Sequence, residues 1–179
     1  MRIVAGTHRG RRIAAPIGEH TRPTSDRVRE ALFSIVGPLE GAEALDLYAG
    51  SGALGLEALS RGAARCVFVE LDGLACRVIQ RNLEQLGLTG AQVQRRDAQH
   101  VLRDEAAAGR RYDLILADPP YEQWAELEPR LATVLPAVLA TSGLLVVETA
   151  ARVEPRLPFE LVKTRRYGSA RLTVFRHTP

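Results

Sequence analysis

The 179-residue sequence predicts an α/β fold: a mostly parallel, doubly wound sheet closed by a C-terminal antiparallel hairpin, with a small β-hairpin arm at the N-terminus. Three observations carry this. From Ala44 onward, short strand-like runs alternate with helical patterns, the rhythm of successive βαβ units. Gly50, Gly52 and Gly55 give a G-x-G-x-x-G spacing at the first strand-to-helix turn, a Rossmann-like feature. In the tail the rhythm changes to two alternating runs that flank Tyr167-Gly168-Ser169, as expected of a closing hairpin.

The arm is read from Arg2-Ile3-Val4-Ala5 and Arg12-Ile13-Ala14-Ala15, two short strand-like runs around a glycine-flanked basic tip, Gly6 to Arg11. With so few apolar residues it must lean on the main domain. Residues 1–20 are therefore assigned to the arm and 21–179 to the main domain. Thr21 to Asp26 leads into a helix that Thr24 or Ser25 can cap, and Asp26 suits its positive dipole end. Val28, Leu32 and Ile35 set its apolar face, leaving Arg27, Arg29 and Glu30 off it, and Gly37-Pro38 ends it. Strands are expected at 44–47, 66–69, 91–94, 112–116 and 144–147, with helices near 53–61, 72–86, 98–108 and 124–140. The closing hairpin is expected to pair 160–164 with 171–175.

Composition narrows the class of protein. At 46% hydrophobic and 25% charged residues the chain reads as one ordinary soluble domain, with no run approaching the roughly 20 apolar residues of a membrane span. Met1 to Gly6 lacks the apolar core of a signal peptide, and Cys66 and Cys76 stand in no metal-like or CxxC spacing. A cytoplasmic protein is expected. The four histidines are scattered without an HxxxH pair, so no metal site is assigned, and nothing demands an oligomer: a monomer is expected. Charge is uneven. Residues 1–30 carry seven Arg against three acids, and residues 152–179 carry six Arg and Lys163 against two acids, while the stretch between them is net acidic. Basic ends on an acidic middle point to a polyanionic partner.

The chemistry is concentrated at strand ends. Asp46 precedes the glycines, Glu70 ends the second strand, Asp97 follows the third, and Asp118-Pro119-Pro120-Tyr121 ends the apolar run Leu114 to Ala117. Any one such acid serves equally well as a helix cap, and Asp-Pro is ordinary turn punctuation. Four together call for a ligand. The glycine geometry fits either a dinucleotide or S-adenosylmethionine. Asp46 tips the choice, because a carboxylate there would oppose a pyrophosphate but suits an ammonium and a sulfonium. Glu70 can accept from ribose hydroxyls, and Asp97 sits where an adenine amine could be read. The Asp-Pro-Pro-Tyr turn offers a carboxylate and stiff, free carbonyls to an amino group, with a ring for a flat partner.

These residues resemble the successive motifs of class I S-adenosylmethionine-dependent methyltransferases, and Asp118-Pro119-Pro120-Tyr121 resembles the signature of enzymes that methylate exocyclic amines of bases. The arm with Gly10-Arg11, then Thr21-Arg22-Pro23-Thr24 with Arg27 to Phe33, Leu56 to Ala63, and Arg166-Tyr167-Gly168 with Leu172 are similar to the RsmD family, bacterial 16S rRNA guanine-N2 methyltransferases. The resemblance covers nearly the whole chain; residues 121–128 are the loose region. It implies S-adenosylmethionine as methyl donor and S-adenosylhomocysteine as product, held by Asp46, Tyr48, Ala49, Gly50, Ser51, Gly52, Glu70, Leu71, Asp97, Ala98 and Asp118. It implies catalysis by Asp118, Pro119, Pro120 and Tyr121 without a metal. It also implies contact with 16S rRNA, in a small-subunit particle, through Arg9, Arg11, Arg12, Arg22, Thr24, Arg166 and Tyr167. Two alternatives are an adenine-N6 methyltransferase of DNA or RNA and a dinucleotide-dependent oxidoreductase. The former usually needs a sizeable target-recognition region, and the latter leaves Asp118 to Tyr121 without a task.

Overall fold

The computed structural model describes residues 1–16 and 26–178. Its seven-stranded sheet comprises β1 (Glu43–Leu47), β2 (Arg65–Glu70), β3 (Ala91–Arg95), β4 (Tyr112–Ala117), β5 (Leu139–Ala150), β6 (Glu160–Tyr167) and β7 (Ala170–Arg176). The spatial order is β3-β2-β1-β4-β5-β7-β6. The first five strands pair in parallel, β7 joins β5 antiparallel, and β6 lies outside β7. The chain steps outward from β1 to β3 and then returns to lay β4 on the other side of β1. The switch point therefore falls between β1 and β4. Open α/β sheets bind their ligands beyond the C-terminal strand ends at such a point.

Among the described residues, five α-helices cover the sheet: α1 (Asp26–Val36), α2 (Ala53–Ser60), α3 (Gly73–Leu86), α4 (Ala98–Ala107) and α5 (Trp124–Val138). One core layer packs Ile3 and Ile13 of the arm with Leu32, Phe33, Leu56 and Ile79 from α1, α2 and α3. The other packs Val101, Leu102, Leu131 and Leu135 of α4 and α5 on the opposite face. Strands covered on both faces read in sequence as unbroken apolar runs, which is why β1, β2 and β4 stood out.

The arm is a short hairpin: Arg2 and Arg12 form an antiparallel bridge, Ile3 N donates to the Arg11 carbonyl at 2.9 Å and Ile13 N to the Met1 carbonyl at 3.1 Å, and the segment also bonds α2 and α3. Two expectations are corrected. The buried face of α1 is Arg29, Leu32, Phe33 and Val36, whereas Val28 and Ile35 are only half-buried. Arg29 is fully buried because it pairs with Asp26 at 2.8 Å and donates to the Arg2 carbonyl, which an apolar count cannot register. Strand β5 begins at Leu139, directly after α5, with Ser142 at φ +66° marking its irregular start. The capping positions Thr24 and Ser25, with Arg22, lie outside the described residues.

Buried polar groups on α2 hold the arm down. The Glu57 carboxylate, fully buried, accepts from Val4 N at 2.8 Å and Ala5 N at 2.9 Å and pairs with Arg61 at 2.8 Å. Ser60 Oγ donates to the Ala5 carbonyl at 2.7 Å and accepts from His8 N at 3.0 Å. A Cβ on Gly6 would lie 1.8 Å from the Ser60 carbonyl oxygen, so the arm can approach α2 this closely only as glycine. Glu57→Gln puts an amide donor against two backbone donors. It is expected to cost roughly 1–3 kcal/mol of unfolding free energy, measured by urea denaturation. A variant as stable as the parent would show that the carboxylate does not anchor the arm.

Candidate active site

A cleft of about 570 Å³ opens beyond the C-terminal ends of the strands at the switch point. That volume lies within the range of cofactor pockets, roughly 300–1,000 Å³. Its walls bring together Asp46, Tyr48 to Ser51, Glu70, Leu71, Asp97, Ala98 and Asp118 to Tyr121. Gly52 opens α2 just behind them, with φ +76°. Gly55 is needed for a different reason: a Cβ there would stand 2.3 Å from the Phe68 ring and 2.8 Å from Cys66 Sγ. The third glycine therefore lets α2 lie flat against β2.

Each acid has a distinct local task. Asp46, on β1 and only 2% exposed, accepts from Gly55 N at 2.9 Å and so fixes the start of α2. Its burial, outweighing that bond and helped by nearby Glu70, pushes its pKa from 3.8 up to about 8. Glu70 braces the glycine loop from β2. One oxygen accepts from Gly50 N at 2.7 Å, the other from Leu71 N at 2.8 Å and Asp72 N at 2.9 Å. Asp97 caps α4, accepting from His100 N at 3.1 Å while it lines the cleft. The cap and the ligand-facing positions coincide. Tyr48 takes φ +58°, a left-handed conformation that costs a side chain of this size about 1–3 kcal/mol and is typical of functional loops.

Across the switch point, Asp118 directly follows β4, whose Ala117 is paired with Leu47 of β1. Asp118 lies close enough to Glu148 and Asp46 to feel both. Burial first, then Glu148, then Asp46, holds its carboxyl well above the usual range. Pro119 is buried and Pro120 exposed, and Tyr121 opens a short 3-10 turn leading into α5. Its hydroxyl donates to Glu148 Oε1 at 2.7 Å. Glu148, on β5 and 7% exposed, is a site residue the sequence reading missed. The signal was there, since Glu148 follows the apolar run Leu144 to Val147 just as Asp118 follows Leu114 to Ala117.

The proposed RNA-contacting residues are scattered. Ser169 in the β6–β7 turn lines the cleft, which puts exposed Arg166 and half-buried Tyr167 within three residues of its rim. Arg9, Arg11 and Arg12 are exposed but do not reach it. The arm tip rests on Ser60, at the end of α2 remote from the glycine loop, and Arg11 donates to the Gln85 carbonyl near the end of α3. Arg22 and Thr24 lie outside the described residues. Among the described residues no cluster of His, Cys, Asp or Glu could hold a metal ion, and no helix is long and apolar enough to cross a membrane.

A doubly wound sheet of this order, with a glycine loop after β1 and acids at its strand ends, defines a class I methyltransferase. The chain belongs to the RsmD family: the family model described as conserved hypothetical protein 95 matches residues 1–176. YlbH of Bacillus subtilis (strain 168) is 39% identical over 186 residues, with 98% of each chain covered. Ribosomal RNA small subunit methyltransferase D of Escherichia coli (strain K12) is 38% identical over 159 residues, covering 88% of this chain and 78% of that one. A solved structure of a hypothetical protein from Thermus thermophilus superposes with a TM-score of 0.85 at 33% identity, covering 98% of both chains.

Proposed function

We propose that this chain transfers a methyl group from S-adenosylmethionine to the exocyclic N2 amine of a guanine in 16S ribosomal RNA. Family membership supports methylation of ribosomal RNA, as borne in the name of the Escherichia coli relative. The cleft's donor set fits that cofactor: buried Asp46 suits its cationic end and Glu70 its ribose. When bound, the cofactor supplies a methyl carbon on a positively charged sulfur.

The observation that carries guanine is that two carboxyl groups, Asp118 and Glu148, line the same cleft. Guanine's pairing edge presents its N2 amine beside an N1–H, two neighbouring donors, whereas adenine places a lone pair beside its amine. Two carboxyl groups, once ionised, suit the first pattern and oppose the second. Asp118 and the Pro119 carbonyl take the two N2–H bonds and turn the lone pair toward the methyl group. Fixing that geometry removes roughly 7–11 kcal/mol of entropic barrier when fully realised. Attack by the N2 lone pair would break the donor's carbon–sulfur bond as the carbon–nitrogen bond forms, and the methylated amine would pass one proton to water.

Tyr121 supplies the flat surface on which an extruded base stacks, and its bond to Glu148 fixes the ring. Tyr121→Ala is expected to lower kcat/KM by the equivalent of roughly 1–3 kcal/mol, the worth of one stacked base. Tyr121→Phe, which keeps the ring, should lose much less. Equal losses in both would assign the effect to the hydroxyl rather than to stacking.

The function is tested by tritiated methyl transfer to undermethylated 16S rRNA and 30S particles, followed by nucleoside analysis. N2-methylguanosine is the expected product; N6-methyladenosine would favour the adenine enzyme. Calorimetry with S-adenosylhomocysteine against NADH separates both from an oxidoreductase.

A further inference from the structure

Helix α3 contributes nothing to the cleft wall, yet one of its residues touches both the arm and the glycine loop. Asn82 is fully buried. Its Oδ1 accepts from Ala14 N at 2.8 Å, and its Nδ2 donates to the Ala14 carbonyl at 3.0 Å and to the Ser51 carbonyl at 3.4 Å. A side-chain amide has two N–H donors, and here one serves the arm while the other serves the loop. One turn further along α3, the Gln85 carbonyl takes Arg11 Nη2 at 2.9 Å, and its Nε2 donates to the Arg12 carbonyl at 3.4 Å. The loop in turn presses on α3: a Cβ on Gly52 would sit 3.0 Å from Ile79.

We infer that Asn82 is a positioning residue that ties the arm to the cofactor loop, so that cofactor occupancy and the arm's placement are coupled. The RNA side of this coupling rests on the methyltransferase reading above; the arm-to-loop link does not. Ser51 lines the cleft and Ala14 does not. A ligand that settles the loop around Ser51 fixes the amide, and the amide holds Ala14 through two bonds it cannot exchange for water. Loosening either end leaves a buried polar group unpaired, which is what makes the two ends cooperate. Linkage is reciprocal, so RNA on the arm would tighten cofactor binding by the same factor.

Amide hydrogen exchange at Ala14, with and without saturating S-adenosylhomocysteine, tests the link directly. In the wild-type protein the ligand is expected to slow exchange there several-fold; in Asn82→Ala it should change nothing. Asn82→Asp, which keeps an acceptor for Ala14 N but loses the amide donors, serves should the alanine variant not fold. Affinity for a 16S rRNA fragment should rise about tenfold with ligand in the wild type, within the usual range for coupled sites, and show no rise in the variants. Ligand-independent exchange at Ala14 in the wild type, or equal protection in wild type and variants, overturns the proposal. If RNA fails to bind while Ala14 still responds, the RNA reading falls and the link stands. If S-adenosylhomocysteine itself does not bind, both fall.

Discussion

Asp118→Ala is expected to lower methyl transfer about a thousandfold while leaving S-adenosylhomocysteine affinity within a few-fold of wild type. Guanine's N2 lone pair is delocalised into its ring, so in the proposed reaction the amine attacks only when its two N–H bonds are held and the nitrogen pyramidalises to localise that pair. Asp118, at the switch point just beyond β4, is proposed for this task. Pro119 is buried and Pro120 removes a backbone donor, so the turn carries its acceptors rigidly. Losing one preorganised partner of a developing charge typically costs about 10²–10³ in rate, and here a buried partner for the amine disappears with it. Asp118→Asn retains an acceptor but introduces a donor, and should fall between the two. Single-turnover transfer with the rRNA substrate measures the chemical step, and calorimetry measures the cofactor. A rate for Asp118→Ala within tenfold of wild type would show that the carboxylate does not orient the amine.

How much of this was legible in the sequence depends on whether a residue's role is set locally. Strand β4 and the Asp118 that follows it were legible because a strand covered on both faces is apolar through its buried stretch, here Leu114 to Ala117, and the next polar residue marks the exit. The glycine loop was legible because a tight turn and a flat helix approach restrict the choice of residue at Gly52 and Gly55. Glu148 carries the same mark after Leu144 to Val147, but its role was not legible, because that comes from its bond with Tyr121, 27 positions earlier in the chain. Arg29 reads as a solvated arginine, and only the arm folding over α1 buries it. The arm itself carried its charge pattern openly but not its position. Its tip follows Glu57 and Ser60, and these set it at the far end of α2 rather than over the cleft. Local stereochemistry is written residue by residue; long-range partnership is written in pairs, which a single chain does not mark.

The same burial that makes the cleft selective makes it pH-dependent, and Asp46 shows how. In the free protein its pKa stands at about 8 against an ordinary 3.8, so between these values the folded chain holds a proton that the unfolded chain has released. Stability from this group is thus complete below about pH 4 and declines as pH rises toward 8. Asp46→Asn keeps an oxygen for Gly55 N and removes the titration. It should flatten that part of the pH–stability curve and make the free protein more stable at neutral pH. Cofactor binding has the opposite sign. A cation in the cleft favours the carboxylate and expels the proton, so S-adenosylmethionine affinity should climb with pH up to about 8 and level off above it. Asp46→Asn is expected to weaken cofactor binding by roughly 2–5 kcal/mol, the usual loss when a buried charge loses its partner. Calorimetry between about pH 6 and 9, in buffers of differing ionisation heat, reads both effects. Wild type should release close to one proton more than the variant below pH 8, because Asp46 alone distinguishes them. An affinity unchanged across that range would mean that Asp46 is already ionised in the free cleft and that its burial stores nothing for the cofactor to release.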